Sequence, residues 1–381
     1  PDHPGLHRRG GSDDLEEEMK IVFISAANLY LCPYIQKYLN VIKGNISYDI
    51  IYWDRHGVEE VYGAEKLYRY RAEEDELTPR WKKLLGYFAF GRFCKKILKE
   101  NQYDGVILLH TNCGVLLTGL LTRYYRDRFI LDIRDYSFEK NPVYYAAEKR
   151  LVQASYANFI SSDAYRDFLP PGEYYVVHNN CSISEETAEE FRSCRGTHST
   201  IRISFIGLVR FFEQSEKMAH SFAEDSRFLL GFFGKNASRL EAVLKEKGYH
   251  SGLRFLDRFS PEETISLYRE TDIINGAYGN HNISLDYAYS NKLYYAAALG
   301  MPILVSPATA MERITAQYGL GFVYDPDDPK IADKLYQYYR EIDWPTFDQN
   351  CAAFRKMVED DEKRFEAVVQ AFVTSRPPSS N

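Results

Sequence analysis

Residues 290–325 read SNKLYYAAALGMPILVSPATAMERITAQYGLGFVYD. The polar pair Asn291 and Lys292 opens a helical pattern whose small and apolar face is carried by Leu293, Ala296, Ala297 and Leu299. Gly300 stands where a glycine ends such a helix. Pro302 then introduces Ile303, Leu304 and Val305, a short buried strand closed by the turn at Ser306 and Pro307. Helix, glycine and buried strand in this order form the unit of a parallel α/β sheet. A helix start that carries a lysine suits a phosphate, because unpaired N–H groups and the helix dipole favour an anion and the ammonium adds a point charge. The plainer alternative is an ordinary helix–loop–strand unit with Lys292 in water, and the local sequence accommodates it equally well.

The 381 residues exceed what one core usually organises, so two domains are expected. A formal charge of -7 argues against non-specific nucleic-acid binding. The six cysteines show neither metal-type spacing nor a CxxC, and read as buried thiols of a reducing compartment. With no apolar run of membrane-spanning length, the expected location is the cytoplasm, in solution or peripheral to a membrane.

Toward the N terminus, residues 1–18 read as a disordered leader or tag. A buried strand over 20–24, a turn at 25–28, a helix around 33–39 and a strand over 48–53 begin a parallel sheet. The first loop lacks GxGxxG, so no dinucleotide cofactor is expected. Residues 54–79 are charged and read as a long loop facing a cleft or a partner. In RWKKLLGYFAFGRFCKKILKE (80–100), Trp81, Leu84, Leu85 and Phe88 fall at i, i+3, i+4 and i+7, among Lys82, Lys83, Arg92, Lys95, Lys96 and Lys99. Such a helix either lies on an anionic membrane or packs its stripe on the sheet with its lysines in water. The second is the commoner arrangement in α/β proteins and is the expectation here.

A strand over 103–109 delivers His110 and Thr111 at its C-terminal end, and one over 129–133 delivers Arg134 and Asp135. Open parallel sheets bind ligands beyond those ends, so the four residues converge on a cleft. Alternatively His110 is satisfied locally and Arg134 forms a structural ion pair with Asp135. Strands over 156–160 and 174–177 close the first domain, assigned to 19–181, and the polar stretch 182–200 reads as the linker. The second domain, 201–345, carries strands over 201–207, 228–234, 253–256 and 272–275, with Ser260 and Glu263 at capping-box spacing. Trp344 and Pro345 break the chain before a last helix within 346–381, long enough to reach the first domain and followed by a disordered SRPPSSN tail.

Several motifs together resemble one family. FIGLVRFFEQ (205–214) is similar to the first-strand glycine-and-arginine loop of family-4-like glycosyltransferases, and FFGKN (232–236) stands where many members have a glycine-rich turn. SNKLYYAAALGMPILVS resembles the NKLxE…GxP donor motif of capsular and exopolysaccharide enzymes. YGLGFVYDPDD (318–328) resembles their glycine turn and acidic segment, with weaker likenesses at FILDIRD (129–135) and VVHNN (176–180). The resemblance implies a GT-B fold: two Rossmann-like domains facing a cleft, with a C-terminal helix returning to the first.

It further implies retaining, metal-free transfer from a nucleotide-sugar, taken as substrate with no cofactor, to a lipid-linked or oligosaccharide acceptor in surface polysaccharide synthesis. The donor would meet Gly207, Arg210, Gly234, Asn291, Lys292 and Tyr295. Asp135, Arg210 and Lys292 would be catalytic, and His110 and Arg134 would lie on the acceptor side, near residues 54–100. The chemistry fits, since fixed cations and helix-end N–H groups stabilise the charge developing on a departing nucleoside diphosphate. The family's two glutamates, eight positions apart, fall here on Tyr287 and Tyr295, which cannot accept from a ribose diol as a carboxylate does. Asp286 is the nearest acid, and Lys235 and Asn236 stand where a second glycine is common. The alternatives are a non-catalytic GT-B subunit supporting a partner transferase, and a nucleotide-sugar epimerase using Asp135 and His110.

Overall fold

The computed structural model describes residues 19–42, 46–73, 78–179 and 181–374. The expected leader and SRPPSSN tail lie outside the described residues, as does Asn180. The first half runs β1 (Lys20–Ser25), α1 (Ile35–Val41), β2 (Ser47–Asp54), β3 (Leu67–Arg71), α2 (Arg80–Glu100), β4 (Gly105–Leu108), α3 (Thr111–Tyr124), β5 (Phe129–Ile133), α4 (Pro142–Val152), β6 (Ala157–Ile160) and β7 (Tyr175–Val176). α5 (Glu185–Ser193) follows, then β8 (Ile201–Ile206), α6 (Phe212–Phe222), β9 (Phe228–Phe233), α7 (Ala237–Glu246), β10 (Leu253–Leu256), α8 (Thr264–Arg269) and β11 (Ile273–Asn275). The chain continues through α9 (Ile283–Asp286), α10 (Asn291–Leu299), β12 (Ile303–Val305), α11 (Ala310–Tyr318), β13 (Gly321–Val323), α12 (Ile331–Arg340) and α13 (Trp344–Thr374).

Two all-parallel sheets result, in the orders β3-β2-β1-β4-β5-β6-β7 and β10-β9-β8-β11-β12-β13. Their central strands are near-continuous apolar runs because helices cover both faces. In β1, Val22 and Ile24 face one layer with α2 and α3, while Ile21 and Phe23 face another with α1 and the end of α13. Register places Phe23 between Ile50 and Ile107. The second sheet is likewise sandwiched, with α10 and α11 on one side and α6, α7 and α12 on the other. α10 ends at Gly300 (φ 64), the left-handed stop read from the sequence.

α13 ties the halves together. Its Phe347, Cys351, Phe354 and Val358 pack in the second core, and Phe365, Val369, Phe372 and Val373 in the first. Pro345, read as a break, sits in the first turn of α13, where its missing N–H costs nothing. Within 182–200, α5 buries Ala188 and Phe191, Phe191 joining the second core.

Two expectations are corrected. Residues 67–71, expected in a loop, form β3 at the sheet edge: Tyr70 packs on Trp53 and Phe90 at 5.7 Å each, and the Arg69 guanidinium holds Asp54 at 2.5 and 2.8 Å. α2 exists as expected, but a different stripe packs on the sheet. Phe90, Cys94, Ile97 and Leu98 are buried, whereas Trp81, Leu84, Leu85 and Phe88 are 56–61% exposed. Among the described residues, no helix is long and apolar enough to cross a membrane.

Candidate functional site

The C-terminal edges of the two sheets face each other. Asp135, just past β5, and Arg210, just past β8, interact electrostatically across the gap. Phe168 of the first half meets Tyr287 of the second at 5.3 Å, and Asp167 meets Arg313 at 3.1 Å.

Lys292 lies at the centre of the second edge. Ser290 caps α10, its hydroxyl accepting from the Lys292 N–H at 3.3 Å. The Lys292 side chain, only 6% exposed, runs inward, and Nζ donates to the Tyr278 hydroxyl at 2.7 Å. The ammonium lies 4.0 Å from the Phe205 ring centroid and 5.0 Å from that of Tyr278. Tyr278 is in turn 3.0 Å from the Ser290 hydroxyl. Burial alone would push the Tyr278 phenol up; the Lys292 ammonium, with help from Ser290 and Arg210, outweighs it and the net shift is downward. No carboxylate among the described residues pairs with Lys292 or Arg210. A buried ammonium held, among the described residues, by the Tyr278 phenol and the Phe205 ring alone is an expensive arrangement unless an anion joins it.

Gly207 leaves open space beside the ammonium. Its φ of +139 disfavours any side chain, and a Cβ there would lie 3.6 Å from Lys292 Nζ. Gly234, read as a donor contact, instead lets two loops touch, because a Cβ on it would come within 2.0 Å of the Gly207 carbonyl. Asn236, in the left-handed region at φ 75, donates to the Val209 carbonyl at 3.0 Å and braces the loop that presents Arg210. Arg210 and Asn291 are exposed at the edge, as is Lys235.

Of the other residues singled out in the sequence, Asp135 reaches the cleft, where its side chain is open to solvent; the protein crowded around it pushes the carboxyl up, against the pull of Arg134 and Arg210. Arg134, expected on the acceptor side, is turned away and buried. It holds Asp132 at 2.5 and 2.8 Å, reaches the Val177 carbonyl at 3.3 Å and lies over the Tyr34 ring at 4.3 Å. The structural ion pair thus runs to Asp132, not Asp135. The Arg134 carbonyl accepts from Ser161 and Tyr165 at 3.0 and 2.7 Å, which fixes the backbone that aims Asp135.

His110 caps α3 with its ring 3.1 Å from Cys32 and 3.4 Å from Tyr34; burial pushes it down to about 4 and keeps it neutral. Tyr295, expected to meet the donor, stacks on Tyr268 at 5.0 Å within the second core. Tyr287 is spent in the contact with Phe168. Asp286 keeps one buried carboxylate oxygen without a hydrogen-bond partner.

Tyr278 and Phe205 were missed by sequence reading. The available signal was an aromatic between Gly276 and Gly279, directly beyond β11. A cavity of about 330 Å³ lies at the opposite edge of the second sheet, lined by Arg202 and Arg269, which Asp272 and Glu190 already neutralise. It is remote from the facing edges. No cluster of three or more His, Cys, Asp or Glu side chains among the described residues could hold a metal ion.

No protein-family model matches the chain, and no curated protein matches it in sequence. Solved structures do match in three dimensions. Sucrose-phosphate synthase from Thermosynechococcus elongatus superposes with a TM-score of 0.68 at 12% identity, covering 94% of this chain and 100% of that one. HepE from Anabaena, solved in complex with UDP and glucose, gives 0.61 at 12% identity over 93% and 100%. The lipopolysaccharide outer core galactosyltransferase WaaB gives 0.63 at 13% identity over 92% and 99%. The two parallel sheets, the facing edges and the returning α13 are the architecture these proteins share: the chain has the two-domain GT-B fold.

Proposed function

We propose that this protein is a glycosyltransferase that moves a sugar from a nucleoside-diphosphate donor to a saccharide or lipid-linked saccharide in surface polysaccharide synthesis. The observation that carries this reading is the buried, carboxylate-free Lys292 ammonium at the start of α10, beside the bare Cα of Gly207. A pyrophosphate seated there receives charge from Lys292 and Arg210 and N–H groups from the α10 start. As the sugar–phosphate bond breaks, negative charge grows on the leaving oxygen, and these fixed groups stabilise it without reorganising. Arg210 is exposed and free to close on the phosphate, and displacement of Tyr278 from Lys292 frees an ammonium hydrogen for it. Asp135, across the gap from Arg210, is the carboxylate assigned to the transferred sugar or the acceptor hydroxyl. A metal-independent course fits a site whose positive charge comes from side chains, and a retaining one is what the family resemblance implies. The acceptor approaches over the first domain, from the cytoplasmic face of a membrane reached through residues 80–100.

The test is thermal: UDP, GDP and ADP are added singly, and one of them raises the melting temperature of the wild type. Lys292→Ala removes that rise. If no nucleoside diphosphate shifts the transition, the reading fails. A second reading, a nucleotide-binding subunit without transferase activity, is favoured by Tyr295 being stacked on Tyr268 where the resemblance places a ribose-holding carboxylate. Release of free sugar or transfer product from the matching nucleotide-sugar excludes it.

A further inference from the structure

α2 carries two apolar stripes. At 3.6 residues per turn, the buried set Phe90, Cys94, Ile97 and Leu98 and the exposed set Trp81, Leu84, Leu85 and Phe88 point about 145° apart. The first set fastens the C-terminal half to β2 and β4. Trp53, near the end of β2, stacks on Phe90 at 5.6 Å and meets Tyr87 at 5.3 Å. What precedes Tyr87 overhangs: the helix is about 31 Å long, whereas β4 spans only about 13 Å. Because α2 returns antiparallel to the strands it connects, the overhang lies at their C-terminal edge, the edge that faces the cleft. Tyr30 and Leu31, exposed in the turn after β1, rise from the same edge.

The outer line of α2 changes character halfway. Beyond Phe88 the same face continues as Arg92, Lys95 and Lys99, flanked by Lys96, all exposed. Arg92, Lys95 and Lys99 form no ion pair with any described residue, and Lys96 has only Glu100 at 3.8 Å. The segment Arg80–Glu100 holds a single acid in a chain of net charge -7. An outer face with an apolar half led by a tryptophan and a cationic half is complementary to a surface that is oily within and anionic above. A second copy of this chain would bring the same positive charge against it.

We infer that the outer face of α2 docks on an anionic lipid bilayer, with Trp81, Leu84, Leu85 and Phe88 entering the headgroup–acyl boundary and Arg92, Lys95, Lys96 and Lys99 on the headgroups. Docking in this pose turns the cleft edge toward the bilayer, so a lipid-linked acceptor reaches the Asp135 side without leaving the membrane. The docking itself rests on α2; its use for acceptor delivery rests on the transferase reading.

The experiment is flotation of the full chain with phosphatidylcholine vesicles, with and without 30 mol% (roughly one lipid in three) phosphatidylglycerol, together with nucleoside-diphosphate thermal shift on the same samples. Wild type floats at least tenfold more with the anionic vesicles, less in high salt, and the fluorescence of Trp81 shifts to the blue. A variant with Trp81→Ser, Leu85→Ser and Phe88→Ser loses at least tenfold of the binding. One with Arg92→Glu, Lys95→Glu and Lys99→Glu loses the preference for anionic lipid. Both keep the wild-type melting temperature and nucleotide shift, since these side chains are already in water. Equal flotation with neutral vesicles, no flotation, or unchanged flotation of both variants overturns the docking while leaving the nucleotide site standing. So does a wild-type dimer in light scattering that the serine variant dissociates, since that assigns the face to a second copy. Lost nucleotide shift with retained flotation overturns the transferase reading alone.

Discussion

The two sheets present their cleft edges in opposite chemical states. At the first, cations are neutralised at close range: Arg134 by Asp132, and Arg69 by Asp54, whose carboxyl, raised by burial, is brought down to about 2 by Asn28, Arg69 and Val58. Asn28 also reaches Glu60 at 3.0 Å, and Glu60 accepts the Leu29 and Tyr30 N–H groups, so this edge is a closed network. At the second, Lys292 and Arg210 form no ion pair with any described residue, Arg210 feeling Asp135 only across the gap, in a chain that carries an excess of acids. A pair closed on itself serves the fold; a cation left open serves something that arrives. In the proposed function, the difference separates an edge that positions from an edge that binds.

Breaking the closed edge produces the largest effect. Arg134→Met strands Asp132 in the core and lowers unfolding free energy by about 3–5 kcal/mol, read by urea denaturation, while the folded fraction keeps its affinity for nucleoside diphosphate. Breaking the open edge does the reverse. Lys292→Ala weakens that affinity about a hundredfold, roughly 3 kcal/mol, by calorimetric titration, yet the ligand-free protein melts no lower than wild type, because an unpaired buried charge has been removed. Gly207→Ala costs about 1–2 kcal/mol of affinity and stability together, since the φ is strained for alanine and the methyl enters the anion's approach.

The smallest effect sharpens the comparison from inside the first half. Glu148 is fully buried with both carboxylate oxygens unpartnered, and burial, then Glu139, pushes it up to about 8. A carboxyl raised in the folded state keeps its proton there to a higher pH than it does in the unfolded chain. Its contribution is intact below the ordinary value of about 4.3 and is lost as pH rises toward 8. Glu148→Leu therefore raises the melting temperature at pH 8 by a few degrees, about 1 kcal/mol, and flattens the decline between pH 5 and 8, followed by thermal melts across that window.

Periodicity and punctuation made most of the fold legible. The buried strands, the Gly300 stop and the Ser260–Glu263 capping box stand where the residues put them. β3 was hidden because LYRYR alternates tyrosine with arginine on an edge strand, and the charge masked a period of two. On α2 the more conspicuous stripe was taken for the packing one, because exposure depends on where the neighbouring strands stop. For the candidate site, local chemistry marks Lys292 at a helix start and Gly207 and Arg210 at a strand end, while their donor-binding roles come from the resemblance and belong to the proposed function. The partner of Arg134 was not readable, since Asp132 and Asp135 flank it closely in sequence and only the strand direction chooses between them. Tyr278 left only the signal of an aromatic between two glycines, because its role comes from folding back onto Lys292 from fourteen residues away.

The most direct test of the central claim is a double-mutant cycle on Lys292 and Arg210, titrated calorimetrically with the nucleoside diphosphate that stabilises the wild type. If both cations hold one pyrophosphate, each alanine variant loses affinity, and the double variant departs from the sum of the singles by about 0.5–3 kcal/mol. Equal binding by all four proteins, or two losses that add without coupling, contradicts a shared phosphate between Arg210 and the start of α10.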